Sequence, residues 1–384
     1  MYICTNKFIK LTFMRILLIG GTGTISSAIT RQLAAAGHDL WLLNRGNRKD
    51  EVPESVKQVI CDINDEAEVL RQMGDTTFDA VGEFIGFLTS QVERDIRLFE
   101  GRTRQYVYIS SASAYNKPAA NHIITEGTTL ANPHWQYSRD KIACEELLMR
   151  AWRERGFPVT IVRPSHTYCE RGVPVSVHGP KGSWQVLKRM MEGKPVIVNG
   201  DGSSLWTLTW NEDFARGYIG LLGNPKAIGE AFQIMSDEQL TWNQIYECVG
   251  RALGVTPKLY HVASDFLVAT SPKAYDLEGN LIGDKSVTVV FDCTKLKRAV
   301  PGFQATTRFD EGVRRCVAHI LAHPELQTED PEFDDWCDRV INALEQAKAT
   351  TLPPLLEHHD RHRRQVSRPS RYSQADTPEH LLGS

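Results

Sequence analysis

Three residues at suggestive spacings could move a proton: Ser111, Tyr137 and Lys141. Tyr137 and Lys141 are four positions apart, which places both side chains on one face of a helix. A tyrosine normally titrates near about pH 10, and a nearby ammonium lowers its pKa by stabilising the phenolate. We therefore expect Tyr137 to act as an acid or base near neutral pH, with Ser111 holding the substrate oxygen. The alternative is an exposed helix pair without chemistry.

A glycine-rich turn lies far upstream, between an apolar run at 15–19 and a helical pattern at 27–36. A glycine at its start permits a tight turn, a second lets the backbone approach a pyrophosphate, and the following helix end attracts phosphate oxygens. The turn predicts a dinucleotide site, and Ser26 follows it where a third glycine is usual. A turn without a ligand is the alternative. The predicted contacts are Gly20, Gly21, Thr22, Gly23, Thr24 and Ile25.

The second predicted strand ends in Asn44 and Arg45, where many dinucleotide-binding proteins have an acidic residue for the adenine ribose. The missing carboxylate removes a repulsion against a 2′-phosphate, and a guanidinium can pair with that phosphate. This favours NADP over NAD as cofactor, unless Arg45 is only a surface cation. Asp62, after the third predicted strand, is a candidate for the adenine amino group or for a helix N-cap.

The elements that would position these residues alternate between strands and helices from residue 14 onward. This alternation predicts an α/β fold, a Rossmann-type doubly wound parallel sheet with a smaller C-terminal substrate lobe. We predict an N-terminal extension at 1–13, a dinucleotide-binding domain at 14–165, and a substrate lobe at 166–345 with segments returning to the sheet. Residues 346–384 have few large apolar side chains and predict a disordered tail.

Composition narrows the partners. The 384 residues have a formal net charge of −3, which gives no strong field toward nucleic acid or a membrane. No apolar run approaches the roughly 18 residues of a membrane span. The eight cysteines form neither a CxxC pair nor a cluster with histidine, as expected for reduced thiols in a cytoplasmic protein. We expect a small-molecule substrate and no nucleic-acid, membrane or metal partner.

Taken together, these motifs resemble the extended short-chain dehydrogenase/reductase superfamily, in its NAD-dependent epimerase/dehydratase family. The resemblance covers about residues 14–301. It implies that Ser111, Tyr137 and Lys141 are catalytic, that a C-terminal lobe selects the substrate, and that the protein forms a homodimer through a helix pair. Ser110, Lys141 and Pro164 would lie beside the cofactor. The matching segments are GGTGTI at 20–25, SSASAY at 110–115, YSRDK at 137–141, RP at 163–164, GDG at 200–202 and NEDFA at 211–215.

One departure concerns the substrate. Many members that use nucleotide sugars have an arginine shortly after the GDG turn, whereas this chain has Ser203, Ser204, Leu205 and Trp206. Without that guanidinium, a diphosphate loses a charge-assisted hydrogen bond of about 1.5–3 kcal/mol. Trp206 and Trp210 are expected to pack on a sugar or polyketide ring, or to form lobe core. His166, two residues after Pro164, is a candidate for binding substrate or for simple packing.

The predicted function is that of an NAD(P)-dependent oxidoreductase of the epimerase/dehydratase type. It would transfer hydride at a hydroxyl or keto carbon of a sugar-like or other small substrate, with tyrosine as acid or base. Epimerases, dehydratases and reductases share this triad, so the sequence leaves all three open. Catalytically inactive alternatives are an RNA-binding relative and a dinucleotide-sensing regulator. The RNA-binding relatives lack the tyrosine that is present here as Tyr137.

Overall fold

The computed structural model describes residues 13–48 and 52–366, with side chains up to 351. The chain divides into two compact units, Met1–Asp334 and Asp335–Ser384. The strands are β1 Arg15–Ile19, β2 Asp39–Asn44, β3 Lys57–Ile60, β4 Ala80–Glu83, β5 Tyr106–Ile109, β6 Ile123–Ile124, β7 Val159–Pro164, β8 His166–Tyr168, β9 Pro195–Asn199, β10 Leu205–Trp206, β11 Leu208–Trp210, β12 Glu230–Ile234, β13 Leu240–Thr241, β14 Lys258–Val262 and β15 Val290–Phe291. The helices are α1 Ser26–Ala35, α2 Glu66–Met73, α3 Thr89–Phe99, α4 Gln136–Arg155, α5 Trp184–Met191, α6 Asn211–Leu221, α7 Trp242–Leu253, α8 Ser264–Thr270, α9 Thr294–Ala299, α10 Phe309–Ala322 and α11 Pro331–Val366.

Seven parallel strands form the central sheet in the order β12-β7-β5-β4-β1-β2-β3. The strands at its centre are short, continuous apolar runs, and Leu17, Val81 and Val107 are fully buried. Such runs form parallel sheets because helices cover both faces and leave no polar side to expose. The predicted fold class is confirmed, and its strand order brings the ends of β1, β4, β5 and β7 to one edge.

Helices pack on the sheet through their apolar faces. On one face, Val69 of α2, Val92 of α3 and Leu148 of α4 form a core with sheet residues such as Leu17 and Tyr106. Asp65 caps α2 by accepting the Glu68 backbone N–H. These contacts fix α4, and therefore the residues near its N-terminus, against the edge where β5 and β7 end.

The chain after β7 builds small structures beyond the sheet edge and returns to the sheet once, at β12, which pairs with β7. The small structures include the two-stranded pairs β8–β11, β9–β14, β10–β13 and β6–β15. Residues Glu278–Lys285 form a π-helix, a rare element that often occurs at functional sites.

The C-terminal region begins with a helix, and the expectation of a disordered tail at 346–384 stays a prediction. α11 extends to Val366 and so includes the first part of the segment 346–384. Residues 342–349 read NALEQAKA, and their alanine, leucine, glutamate, glutamine and lysine have high helix propensity, which the compositional argument overlooked. The rest of that tail and most of the expected extension at 1–13 lie outside the described residues. Among the described helices, none is long and apolar enough to cross a bilayer.

Candidate active site

The glycine turn connects β1 to α1 at the carboxyl edge of the sheet, and two of its glycines have no room for a side chain. Gly20 has a φ of +82°, and a Cβ there would come within 2.5 Å of Ile85 Cγ2. A Cβ at Gly21 would come within 2.4 Å of Leu42 Cδ2. Gly20 therefore permits the turn itself, whereas Gly21 permits its close packing on β2.

Ser26 holds this turn together from the position where a third glycine is usual. Its Oγ accepts the Gly23 N–H at 2.9 Å and donates to the Gly20 carbonyl at 2.6 Å. Thr30 Oγ1 adds a bond of 2.7 Å to the Gly21 carbonyl. The sequence analysis treated Ser26 only as a small residue. A hydroxyl near a helix N-terminus is the signal that could have revealed its role.

A groove of about 580 Å³ runs from this turn along the ends of β2 and β3. Its position beside a helix N-terminus and its size fit a dinucleotide. Ile85, Phe87 and Gln91 also line it, although no sequence motif indicated them. Six predicted cofactor residues are in its lining, namely Gly20, Thr22, Gly23, Asn44, Arg45 and Asp62.

The polar residues of the groove differ in whether they already have hydrogen-bond partners in the protein. Asn44 Oδ1 accepts the Gly46 N–H at 2.7 Å, and Arg48 donates to the Thr22 carbonyl at 3.0 Å. Arg45 is exposed and has no ion pair among the described residues. Asp62 Oδ1 accepts two bonds from Asn64, so it is not the helix cap that was weighed for it. Asp65 has that role.

The remaining predicted cofactor residues lie elsewhere. Thr24 lines a neighbouring cavity of about 310 Å³ together with His166 and His178. Ile25 is the N-cap residue of α1. Ser110 is buried and its Oγ has no hydrogen-bond partner. Gly21 packs on Leu42 rather than lining the groove.

Tyr137 and Lys141 lie on one face of α4, as their spacing predicts. The Nζ of Lys141 is 5.9 Å from the centre of the Tyr137 ring. That ammonium is buried and donates to the carbonyls of Gly86 at 2.7 Å and Ile109 at 2.8 Å. Burial lowers the pKa of Lys141 to about 8. Lys141 thus ties the end of β5 to the loop after β4, beside the Tyr137 ring.

The electrostatic expectation for Tyr137 needs a correction. Its pKa is raised from the ordinary value, because burial of the phenol disfavours the phenolate, while a hydrogen bond with Ser111 opposes this shift. Lys141 does not lower the pKa of Tyr137 in this structure, since its charge is directed at two backbone carbonyls. Ser111 is the group that favours the phenolate.

Two further serines, which the sequence analysis missed, orient Ser111. Ser138 Oγ donates to Ser113 Oγ at 2.7 Å, and Ser113 Oγ lies 2.9 Å from Ser111 Oγ. Ser111 Oγ also accepts the Ser113 N–H at 3.1 Å. Ser113 accepts from Ser138, and its own proton can be donated to Ser111. The hydroxyl proton of Ser111 is then left for Tyr137 or for a substrate oxygen.

Ser111 and Tyr137 open into one cavity of about 300 Å³. Pro164, His166 and Trp206 line the same cavity, so five predicted site residues come together here. Trp210 does not line it and packs in the core against Tyr168, with ring centres 5.2 Å apart. The sequence analysis missed Trp135, Ser165, His178, Asn280, Asp284 and Lys285, which also line the cavity.

The two histidines of the cavity are neutral at physiological pH. Burial, together with the positive charge of Lys285, lowers the pKa of His166 to about 3 and that of His178 to about 4. His178 Nδ1 lies 2.8 Å from the Gly179 carbonyl, so its other ring nitrogen is the one available to a ligand. Both histidines also line the cavity next to Thr24, so the two cavities adjoin.

Comparison with known proteins assigns this arrangement to a family. The model of the NAD dependent epimerase/dehydratase family matches residues 16–234, which include the glycine turn and the serine, tyrosine and lysine. The chain belongs to this family. The predicted family and enzyme class are therefore confirmed, and dependence on a nicotinamide dinucleotide follows from the family.

Named relatives of this NAD dependent epimerase/dehydratase chain are varied. It is 28% identical over 291 residues to 2′-dehydrokanamycin reductase of Streptomyces kanamyceticus, covering 76% of this chain and 80% of that protein. It is 25% identical to the chloroplast stem-loop binding protein of 41 kDa b of Arabidopsis thaliana, covering 68% of this chain and 67% of that one. The structure of UDP-glucuronic acid 4-epimerase from Bacillus cereus with NAD superposes with a TM-score of 0.60 at 18% identity, covering 79% of this chain and 96% of that chain.

Proposed function

We propose that this family member is an oxidoreductase that acts at a hydroxyl- or keto-bearing carbon of a small, sugar-like substrate, with Tyr137 as the acid or base. A bound nicotinamide would supply or accept the hydride. The observation that carries the proposal is that Ser111 and Tyr137 share one cavity with Pro164 and His166. The glycine turn lies at the same sheet edge, because Thr24 and His166 line the adjoining cavity.

The proton chemistry follows from the two hydroxyl groups. Burial keeps Tyr137 a phenol at neutral pH, so it is an acid that can protonate a substrate carbonyl oxygen during reduction. Ser111, oriented by Ser113, donates to the same oxygen and stabilises the charge that develops there. In the reverse direction the phenolate form of Tyr137, which the Ser111 hydrogen bond favours, accepts the alcohol proton and becomes the phenol again.

The structure supports NADP as the preferred cofactor through Arg45. This guanidinium lines the dinucleotide groove without an ion pair among the described residues, and no carboxylate occupies the end of β2. Asn44 bonds its own loop rather than presenting an acceptor to a ribose. A 2′-phosphate would therefore find a free cation and no repelling charge.

The proposal is less specific about the reaction type and the substrate than about the cofactor. One relative is named a reductase, and solved structures of similar fold are named epimerases and a dehydratase, so the proposal includes all three reaction types. The RNA-binding alternative has no support from the site, although one relative is named a stem-loop binding protein. Tyr137 is present and lines a cavity, and the net charge of −3 does not favour nucleic acid.

The decisive test replaces Tyr137 with phenylalanine. Mass spectrometry of the purified wild-type protein identifies the dinucleotides and small molecules that copurify with it. Turnover of a panel of sugars and ketones is then measured by nicotinamide absorbance. We expect Tyr137→Phe to lower kcat by about 10²- to 10⁴-fold, because the proton donor is lost, with dinucleotide affinity nearly unchanged. Tyr260→Phe on β14, at a tyrosine that does not line the cavity, is the control. Full activity of Tyr137→Phe would refute the assignment.

A further inference from the structure

Lys285 is a buried lysine that the proposed reaction does not use. It ends the π-helix Glu278–Lys285 and lines the cavity that contains Tyr137. Its residue is 6% exposed, and its backbone carbonyl is fixed by Trp242 Nε1 at 3.0 Å. Because the residue is buried, its ammonium group is not free to reach bulk solvent.

This ammonium has no carboxylate partner among the described residues. Within the described part of the chain it donates one long hydrogen bond, 3.5 Å, to the Ser176 carbonyl. Lys117, the other buried lysine in this region, instead pairs with Asp284. Because a buried charge without a counter-charge is costly, proteins normally pair it or use it to bind an anion. Lys285 is thus the uncompensated positive charge of the cavity.

Trp206 is a second, independent sign of a missing acceptor. The residue is 3% exposed and lines the cavity, and its indole Nε1–H has no hydrogen-bond partner in the described part of the chain. Its ring is held by stacking on Trp242 at 5.6 Å between centres. A buried indole N–H normally finds an acceptor, so a ligand oxygen is the expected partner.

The titratable groups other than Lys285 that line the cavity add no net charge, so the cavity has a net charge of one positive. Asp284 is neutralised by Lys117, and His166 and His178 are neutral. None of the described lining residues has a guanidinium, the group that suits the two negative charges of a diphosphate. The single ammonium and the indole N–H together match two oxygens that share one negative charge.

We propose that this cavity selects a substrate carrying a single carboxylate, bound by Lys285 Nζ and Trp206 Nε1. The inference rests on the proposed function, since the carboxylate would lie on the molecule whose hydroxyl or keto carbon meets Tyr137. Polycationic substrates are repelled by Lys285. The name of its relative 2′-dehydrokanamycin reductase would instead suggest a polycationic substrate.

The test compares D-glucuronate with D-glucose, which differ in a carboxylate, using the full-length protein and calorimetry or ligand-observed NMR. We expect wild-type protein to bind D-glucuronate about tenfold or more tightly than D-glucose, as one charge-assisted bond predicts. Lys285→Gln should abolish this preference, and Trp206→Phe should reduce it while keeping the ring. The control Lys273→Gln removes the same charge from an exposed site on the same unit and should keep the preference.

Two further probes complete the experiment. D-glucose 1-phosphate tests whether a phosphate is preferred, and kanamycin tests whether a polycation binds. Tighter binding of either, no detectable binding of D-glucuronate, or an unchanged preference in Lys285→Gln would overturn the inference. Because these affinities are measured without turnover, they are separate from the Tyr137→Phe result. A failure of one proposal is therefore distinguishable from a failure of the other.

Discussion

Arg45 shows how a single side chain can be placed for recognition without yet having a partner. It follows β2 and lines the dinucleotide groove, whereas Arg48 in the same loop already bonds the Thr22 carbonyl. The two arginines therefore have different expected roles. Arg45 is available for a 2′-phosphate, and Arg48 supports the glycine turn.

These roles predict different effects of the two alanine variants on cofactor affinity. Arg45→Ala should raise the Kd for NADPH by about tenfold or more and leave the Kd for NADH nearly unchanged, because only NADPH has the 2′-phosphate. Arg48→Ala should weaken both cofactors to a similar extent. Fluorescence titration of the reduced cofactors measures all four values. Equal losses of NADPH and NADH affinity in Arg45→Ala would contradict the assignment of Arg45 to the 2′-phosphate. A loss of NADPH affinity alone in Arg48→Ala would assign the 2′-phosphate to Arg48 instead.

At the residue scale, the parts of the site that could be predicted were motifs whose residues lie close together in the sequence. The glycine turn and the Tyr137–Lys141 pair each depend on neighbours within one turn or one helix, so sequence alone indicates them. The pKa of Tyr137 was predicted in the wrong direction, because burial of the phenol and the two carbonyls around Lys141 depend on the folded chain. The bracing of the turn by Ser26 is likewise visible only in three dimensions.

At the element scale, β4 and α3 meet through a buried acidic pair. Glu83 ends β4, is fully buried, and accepts the Ile85 N–H. Asp95 on α3 pairs with Arg94 at 2.8 Å and accepts the Tyr106 hydroxyl at 2.7 Å. Burial raises the pKa of Glu83 well above its ordinary value, and the negative charge of Asp95 raises it further. Glu83 is thus the protonated member of the pair.

Because of this buried pair, we predict that the free energy of unfolding depends on pH and that one substitution removes this contribution. An acid whose pKa is raised on folding stabilises the protein below its unfolded pKa, and this stabilisation is lost as pH rises through the folded pKa. Glu83→Gln keeps a neutral side chain, so its advantage over wild type should grow with pH by up to about 1.4 kcal/mol per pH unit.

Urea unfolding at a series of pH values from about 5 to about 8 measures this difference. Glu93→Gln, at an exposed position of α3, is the matched control and should follow the wild-type curve. Parallel curves for Glu83→Gln and wild type would show that Glu83 is ionised in the folded protein.

The elements themselves were predictable to the extent that their periodicity is regular. The strands and helices of the central sheet from β1 to β7 match the predicted alternation. The cavity wall opposite Tyr137 was not predictable, because it combines β8, β10 and the π-helix. These segments are short and irregular, and only long-range packing brings them together. Trp135, for example, bonds Asp276 at 2.7 Å across the chain.

At the scale of the whole molecule, one compact unit contains the groove, both cavities and the proposed catalytic residues. The boundary expected near residue 165 between a cofactor domain and a substrate lobe stays a prediction, since β12 returns from the later segment to the sheet. A homodimer is a second whole-molecule expectation, and it rests on the family alone.

The homodimer gives a prediction that is independent of the substrate. Light scattering of the purified chain should yield twice the 43.2 kDa of one chain, because family members associate through a helix pair. The measurement should be repeated with NADPH and after dilution, since association depends on concentration. A mass of 43.2 kDa under every condition would exclude the homodimer.

The π-helix Glu278–Lys285 has a consequence for how relatives diverge. Its hydrogen bonds join residues five positions apart instead of four, so it is wound more loosely than an α-helix, in which each residue advances the chain by about 100°. Deletion of one residue from this segment is expected to rotate the residues after it by about 100° and to move Lys285 away from the cavity that it lines. Ser111, Tyr137 and Lys141 lie outside this segment, so a relative with such a deletion would keep them and lose the proposed carboxylate selectivity.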